Sequence, residues 1–358
     1  GAVVGALAPN VEVYVLGEIL RGLAAGALAT ATMGVMVAGL PDAWRRLCLA
    51  GGSGMWVVAA LAGPVYASGV SASWGWRWAL VVYLPVLIAA RAVMAGQIHD
   101  LRLDEETDHD ETVPWLPALA MAAGVALIGA LRASSPWFWP GVGVGTGLVL
   151  WSCSCVLPDG TLRLVPGRRA GIATLLWVCA FFLTLDYLVA PSAHDVLGLT
   201  PTQTGWALTA GGIGWSAVAI ACGARPAREP QAYRRRTMLA AVFFLVGTML
   251  MVVTVLEKAD WWGMPVGYGV ASIGMGLTHL DTMNRIVTDP VEPDGITHAQ
   301  AATAITIAGA AGGAVLGTAT TAFVAPAAAG VETSRLWPTL VLLAVGLLLT
   351  PLLARRAA

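Results

Sequence analysis

Charged residues inside apolar stretches are the first sign of chemistry in this sequence. Glu18 and Arg21 stand three residues apart in one such stretch, so on a helix their side chains share one face. A charge in an apolar environment is costly, and such residues usually pair with one another or serve a function. Two interpretations stay open: a neutral pair that satisfies itself, or a cavity-lining pair whose protonation changes as the protein works.

Two later apolar stretches each contain an aspartate. Asp186 is near the end of its predicted helix, where water can solvate it, and a role in proton coupling is the alternative. Asp281 is about 10 Å inside its predicted helix, with Arg285 four residues on. This spacing favours a structural ion pair between Asp281 and Arg285, with a gate at that end of the helix as the alternative.

Other kinds of chemistry have no support in the sequence. The five cysteines and five histidines are scattered, and no CxxC spacing occurs. Lys258 is the sole lysine and follows a glutamate, so there is no phosphate-binding G-K-[ST] sequence. The HExxH and GxSxG patterns of metalloproteases and serine hydrolases are also absent. We therefore expect no enzyme activity, no metal, no cofactor and no nucleic-acid partner.

The elements that must position these charges are apolar helices. Hydrophobic residues make up 57% of the chain and charged residues 11%, against about 25% charged in a soluble domain. Each apolar run is long enough to cross a hydrocarbon layer about 30 Å thick. The sequence predicts an all-α polytopic membrane protein with eleven complete spans, at residues 13–40, 46–69, 78–95, 114–131, 138–157, 170–190, 202–222, 237–256, 263–287, 298–324 and 336–354.

Basic residues predict the orientation in the bilayer. Apart from Arg21, which lies deep within a span, all but four of the twenty Lys and Arg residues fall in alternate loops, at the span ends beside those loops, or at the C-terminus. Loops rich in Lys and Arg stay in the cytoplasm. We therefore predict a multi-pass protein of the cell (inner) membrane with a cytoplasmic C-terminus. The exceptions, expected on the outer side, are Arg77, Arg132, Lys258 and Arg335.

Two segments lie outside this pattern of spans. Residues 96–113 are rich in acidic side chains and predict a cytoplasmic linker. Residues 1–8 are apolar but would span only about 12 Å as a helix. They are interpreted as the stump of a helix, with the remnant of a signal peptide as the alternative.

Two motifs carry a resemblance to a known family. The segment Leu16 to Leu28, which contains Gly22 and Gly26, resembles the fourth-helix signature of the major facilitator superfamily. That signature usually has Arg where this chain has Glu18, and Gln where it has Arg21. Gly63 and Pro64 are similar to the start of the fifth-helix antiporter motif, whose glycines and proline allow close helix approach. The two glycines that end the antiporter motif are absent here.

Two further segments point to one branch of this family. The run Gly75 to Trp78 is similar to a segment of the fourteen-helix drug/proton antiporters, and Gly309 to Ala319 resembles a glycine-rich helix of the same branch. Laid over that branch, the chain lacks the first two helices and most of the third. The resemblance implies a remainder of the N-terminal bundle at 1–95, the linker at 96–113, two additional central helices at 114–157 and a C-terminal six-helix bundle at 170–358.

The resemblance implies a secondary transporter, namely a proton-coupled exporter of amphipathic organic compounds that works by alternating access. The candidates for its substrate and proton pathway are the charged residues Glu18, Arg21, Asp186, Asp281 and Arg285. An aromatic cavity for such cargo could be supplied by Trp56, Tyr66, Trp177, Trp206 and Trp215.

The alternative is a transporter-derived membrane subunit that no longer transports and docks against a partner protein. Its support is the erosion of the motifs, above all the exchanged charges at Glu18 and Arg21. In both cases the lipid bilayer surrounds the protein. In the first case its other partners are protons and a small amphipathic molecule.

Overall fold

A computed structural model describes residues 1–38, 42–99, 114–227, 229–288, 294–325 and 330–357. Every regular element in these ranges is helical, which confirms the predicted all-α class. The first seven helices are α1 (Ala2–Ala6), α2 (Val11–Ala38), α3 (Asp42–Trp74), α4 (Trp76–Ala79), α5 (Leu84–His99), α6 (Trp115–Ala130) and α7 (Phe138–Val156). The others are α8 (Arg168–Pro191), α9 (Pro201–Ala224), α10 (Pro230–Glu257), α11 (Gly263–Val287), α12 (His298–Val324), α13 (Thr333–Leu348) and α14 (Thr350–Ala357).

Each predicted span coincides with at least one of these helices. The predictions for α11 and α12 match at both ends. Helix α10 begins seven residues before the predicted start, because its basic first turns give no apolar signal although Pro230 is well placed at a helix start. The last predicted span is divided at Leu349 into α13 and α14.

Within the described ranges, eight helical segments are long and apolar enough to cross a membrane. They contain α2, α5, α7, α8, α9, α10 and α12, and the pair α13 and α14. Helix α6 is apolar but has only 16 residues. The structure therefore supports a multi-pass membrane protein, while the total of eleven spans stays a prediction.

Helices α8 to α13 form a densely packed bundle. Its main helix pairs are α9 with α11, α10 with α11, α8 with α12, and α10 with α13. Glycines allow the backbones to approach: a Cβ at Gly312 would lie 2.9 Å from the carbonyl oxygen of Leu176, and one at Gly274 would lie 2.8 Å from that of Ala240. Small residues at helix crossings are typical of membrane bundles, where close van der Waals packing drives association.

Two helices of this bundle start with the same local device. Thr200 before α9 and Thr297 before α12 each accept a hydrogen bond from the backbone N–H three residues on, and the side-chain oxygens of Gln203 and Gln300 each accept one from the threonine backbone N–H. Such a capping box satisfies two N–H groups that a helix start leaves unpaired. It fixes the entry of α9, beside which the main cavity lies.

The first five helices are packed more loosely. Helix α2 packs against α12, and α3 packs against α9, but many apolar side chains face outward. Leu23 of α2 is 67% exposed and Val86 of α5 is 73% exposed. Apolar surface of this kind suits contact with lipid. Most of the predicted acidic linker, residues 100–113, lies outside the described residues.

Candidate functional site

A cavity of about 910 Å³ lies between α3 and the helices α8, α9 and α11. Small residues of α3, among them Gly63 and Ser71, form one wall. Asp186 on α8 and Tyr268 on α11 form the opposite side with Trp215 of α9. A volume of this size is in the range of a pocket for a drug-sized molecule.

The polar centre of the cavity is a hydrogen bond from the Tyr268 hydroxyl to the Asp186 carboxylate. The Tyr268 ring stacks on Phe182 of α8, with ring centroids 5.9 Å apart and planes 16° apart. It also lies directly against Gly211 of α9, where any Cβ would overlap the ring. The absence of a side chain at Gly211 thus allows the position from which Tyr268 reaches Asp186.

An irregular helical turn forms the mouth of the cavity. Helix α8 continues past Pro191 into a single wider turn, Ser192–Val196. His194 and Asp195 on this turn both line the cavity, and their side chains are joined at 2.9 Å. Asp195 also accepts a hydrogen bond from the backbone N–H of Val331, at 3.3 Å. Because the His194 side chain is largely exposed, the cavity is open at this end.

The charge of the cavity is one-sided. Its ionisable lining residues include Asp186, His194 and Asp195, and no Lys or Arg lines it within the part of the chain that the structure describes. The remaining walls are mostly apolar. Such a site can hold an amphipathic molecule whose polar part donates hydrogen bonds or is positively charged.

The opposite end of the bundle is closed by charged contacts. We call the end of the bundle where α8 and α10 finish and α9 and α11 begin the Asp186 end. The end where α8 and α10 begin is the Asp281 end. Arg236 of α10 bonds to Asp281 of α11 at 2.6 Å, and the Asp281 side chain is only 2% exposed. The same carboxylate accepts a bond from the backbone N–H of Ala227 at 3.3 Å.

The predicted ion pair between Asp281 and Arg285 is therefore replaced by another. Arg285 instead donates to the carbonyl oxygen of Ala227 at 3.2 Å, and its guanidinium lies 4.4 Å from the ring centre of Tyr233. Spacing along one helix cannot reveal a cation on a neighbouring helix, and here Arg236 approaches the carboxylate more closely.

A second ion pair closes the same end. Buried Arg168 at the start of α8 bonds through two nitrogens to Asp294, with Nε and Oδ2 2.8 Å apart, and donates to the carbonyl oxygen of Ile296 at 2.8 Å. The hydrogen bonds from Arg168 lower the pKa of Asp294 to about 2. The segment before α12 is thereby fixed to α8.

Glu18 and Arg21 form the predicted ion pair, at 2.7 Å. The pair is partly exposed and is not among the residues that line the main cavity. Next to it, α1 packs on α2 through Gly5 and Gly17, whose backbones leave no room for a Cβ at Gly17. A role for Glu18 and Arg21 in a substrate or proton pathway stays a prediction.

The motif glycines of α2 and α3 show no close helix contact. A Cβ built at Gly22, Gly26 or Gly63 meets no atom of the described residues within 4 Å. Gly63 does line the cavity, and α3 continues through Pro64 as one helix. Helix packing at these four motif positions stays a prediction.

Sequence reasoning identified only part of this site. It named Asp186 and Trp215 but not Tyr268, His194 or Asp195. Of the other aromatic candidates, Trp177 donates to the carbonyl oxygen of Gly346 and Tyr66 to that of Ala79, while Trp206 is exposed. The side chain of Trp56 lies outside the described residues. Tyr268 lies four residues before Ser272, a polar periodicity on α11 that could have drawn attention to it.

The known proteins that resemble this chain have names that describe transport or resistance. No protein-family model matches the chain. It is 26% identical over 316 residues to a probable multidrug-efflux transporter of Mycobacterium tuberculosis, which covers 81% of this chain and 65% of that relative. It is 26% identical over 216 residues to an uncharacterized MFS-type transporter of the same species, and this match covers 55% of this chain and 36% of that relative. It is 34% identical over 80 residues to the fatty acid resistance protein FarB of Neisseria gonorrhoeae, and this match covers 22% of this chain and 16% of that relative.

The chain thus spans less than two thirds of the length of each of these relatives. Their names describe transport or resistance, which suggests a role other than catalysis. Among the described residues, no cluster of three or more His, Cys, Asp or Glu side chains could hold a metal ion. Together with the apolar helices, the comparisons support a multi-pass membrane transporter with modest similarity to MFS-type proteins.

Proposed function

We propose that this chain is a secondary-active transporter of the major facilitator superfamily that exports amphipathic organic compounds in exchange for protons. The observation that carries the proposal is the difference between the two ends of the bundle. The cavity is open at the Asp186 end, whereas two ion pairs close the Asp281 end. One open end and one closed end is the arrangement that alternating access requires.

Asp186 is the group best placed to couple protons to transport. It is half-buried, faces the cavity, and accepts its hydrogen bond from Tyr268 rather than from a cation. A carboxyl group in this setting can hold a proton when the cavity is empty and release it when a hydrogen-bond donor or cation arrives. Coupling follows if a substrate and a proton compete for Asp186.

The experiment that tests the proposal is dye efflux from proteoliposomes. A proton gradient is imposed across vesicles that contain the purified protein, and movement of ethidium, an amphipathic cation, is followed by fluorescence. We expect gradient-driven efflux from the wild type and loss of gradient dependence in Asp186→Asn. Asp260→Asn removes an exposed carboxylate from the loop between α10 and α11 and should leave efflux unchanged. Equal gradient-driven efflux by the two variants would refute the role of Asp186.

The alternative of a docking subunit gains no specific support from the described residues. The exposed apolar faces of α2 and α5 suit lipid as well as protein.

A further inference from the structure

Five arginines gather at the Asp281 end without a carboxylate partner among the described residues. We call Arg163, Arg234, Arg235, Arg355 and Arg356 the arginine cluster. They come from three segments that meet in space. Arg234 of α10 donates to the carbonyl oxygen of Arg355 at 3.4 Å, and Arg356 donates to that of Leu164 at 3.5 Å.

Helix α14 holds this cluster in place. The last turn of a helix leaves carbonyl oxygens unpaired and carries partial negative charge, which cations stabilise. Here the backbone N–H of Gly167 bonds to the carbonyl oxygen of Arg356 at 2.9 Å, and Arg285 donates to that of Ala357 at 3.5 Å. The backbone of α14 is therefore fixed, while the side chains of Arg355 and Arg356 are exposed.

The cluster differs from Arg168 and Arg236, two other arginines at this end. Arg168 and Arg236 are each neutralised by an aspartate. Among the described residues the cluster lacks such compensation: the exposed Asp159 and Glu229 are the acidic groups of the same segments, and neither forms an ion pair with an arginine of the cluster. The part of this surface that the structure describes therefore has an excess of positive charge.

Exposed apolar side chains lie beside these guanidinium groups. Leu162 is 42% exposed and Val165 is 41% exposed, next to Arg163. Leu352, on the same helix as Arg355, is 54% exposed. Because α8 and α10 begin here and α14 ends here, this surface lies at the boundary between apolar and polar surroundings. Basic groups beside apolar side chains at that level fit a phospholipid, with its phosphate on the arginines and its chains on the leucines.

We infer that the arginine cluster is a binding surface for the headgroups of anionic phospholipids. The inference does not depend on transport, since it needs only that the apolar helices lie in a bilayer. Each basic residue close to an anionic membrane surface strengthens the attachment of the protein to that surface severalfold, and added salt weakens this attachment.

The test compares two double variants that each remove two positive charges. Arg163→Gln with Arg355→Gln changes two exposed side chains of the cluster. Arg132→Gln with Lys258→Gln changes two exposed side chains at the opposite end. Delipidated protein in a neutral detergent is titrated with fluorescent phosphatidylglycerol and, separately, with fluorescent phosphatidylcholine.

We expect the wild type to prefer phosphatidylglycerol, and the cluster variant to lose about tenfold in that preference. The control variant should keep it, and so should a charge-preserving variant, Arg163→Lys with Arg355→Lys. Thermal unfolding of the same samples shows whether each variant is folded.

Three outcomes would overturn the inference. One is an unchanged preference in the cluster variant, and another is an equal loss in the control variant. The third is complete displacement of phosphatidylglycerol by millimolar inorganic phosphate, which would mean that the surface binds free phosphate instead of lipid.

Discussion

The two ends of the C-terminal bundle use their charged residues in opposite ways. At the Asp281 end, Arg236 and Asp281 join α10 to α11, while Arg168 and Asp294 join α8 to the segment before α12. At the Asp186 end, the carboxylate faces an open cavity and is paired with a tyrosine hydroxyl. A carboxylate thus closes one end and stays available to a ligand at the other, according to whether a cation on a neighbouring helix can reach it.

The closed end should respond most strongly to loss of its central arginine. Arg236→Met leaves the buried Asp281 carboxylate without its closest cation, and we expect the free energy of unfolding to fall by about 3 kcal/mol. Arg285→Met should cost less, because Arg285 contacts a carbonyl and the Tyr233 ring. Thermal or denaturant unfolding in detergent measures both. A larger loss of stability from Arg285→Met would instead support the ion pair between Asp281 and Arg285 that the helix spacing favoured.

Arg235→Met is the matched control for this prediction. Its side chain is exposed and makes no ion pair among the described residues, so its effect should stay within about 0.5 kcal/mol.

The open end should respond to an added methyl group beside Tyr268. In Gly211→Ala the new Cβ would overlap the Tyr268 ring, and we expect the ring to turn away and release Asp186. Gradient-driven efflux of ethidium should fall about tenfold, the effect of losing about 1.4 kcal/mol of positioning energy. Gly309→Ala adds the same methyl group to α12, where no described atom lies within 4 Å, and should leave efflux unchanged. Equal efflux by the two variants would show that the position of the Tyr268 ring does not affect transport.

The smallest expected effect is the pH dependence of the closed end. The pKa of Asp294 is lowered to about 2 in the folded protein, against about 3.9 in an unfolded chain. Its contribution to stability is therefore complete above pH 4 and is lost as the pH falls toward 2. The difference in unfolding temperature between wild type and Asp294→Asn should narrow over that interval. A difference that is constant with pH would show that the ionised carboxylate does not stabilise the fold.

The sequence predicted the helices well and the site only in part. Apolar runs are a local signal, so α11 and α12 were predicted to the residue. Charged turns hid the start of α10, and a break at Leu349 within an apolar run hid the division between α13 and α14. The pairing of Asp281 with Arg236 and of Asp186 with Tyr268 depends on how different helices pack, which no spacing within one helix contains.

The glycines that matter for the site were also not identified from the sequence motifs. Sequence motifs drew attention to Gly22, Gly26 and Gly63, where the described residues show no close contact. A close approach at the site occurs instead at Gly211, which belongs to no quoted motif and matters because the Tyr268 ring from α11 lies against it.

The most direct test of the account is a pair of spin-label distances between α3 and α9, one at each end. Labels at Ser73 and Thr202 report on the Asp186 end, and labels at Leu47 and Ala224 report on the Asp281 end, all at exposed positions and without the native cysteines. The distances are compared between the otherwise native protein and Asp186→Asn, whose amide mimics the protonated carboxyl group. We predict that the Asp186-end distance shortens while the Asp281-end distance lengthens. Distances that stay unchanged, or that change in the same direction, would contradict alternating access about this cavity.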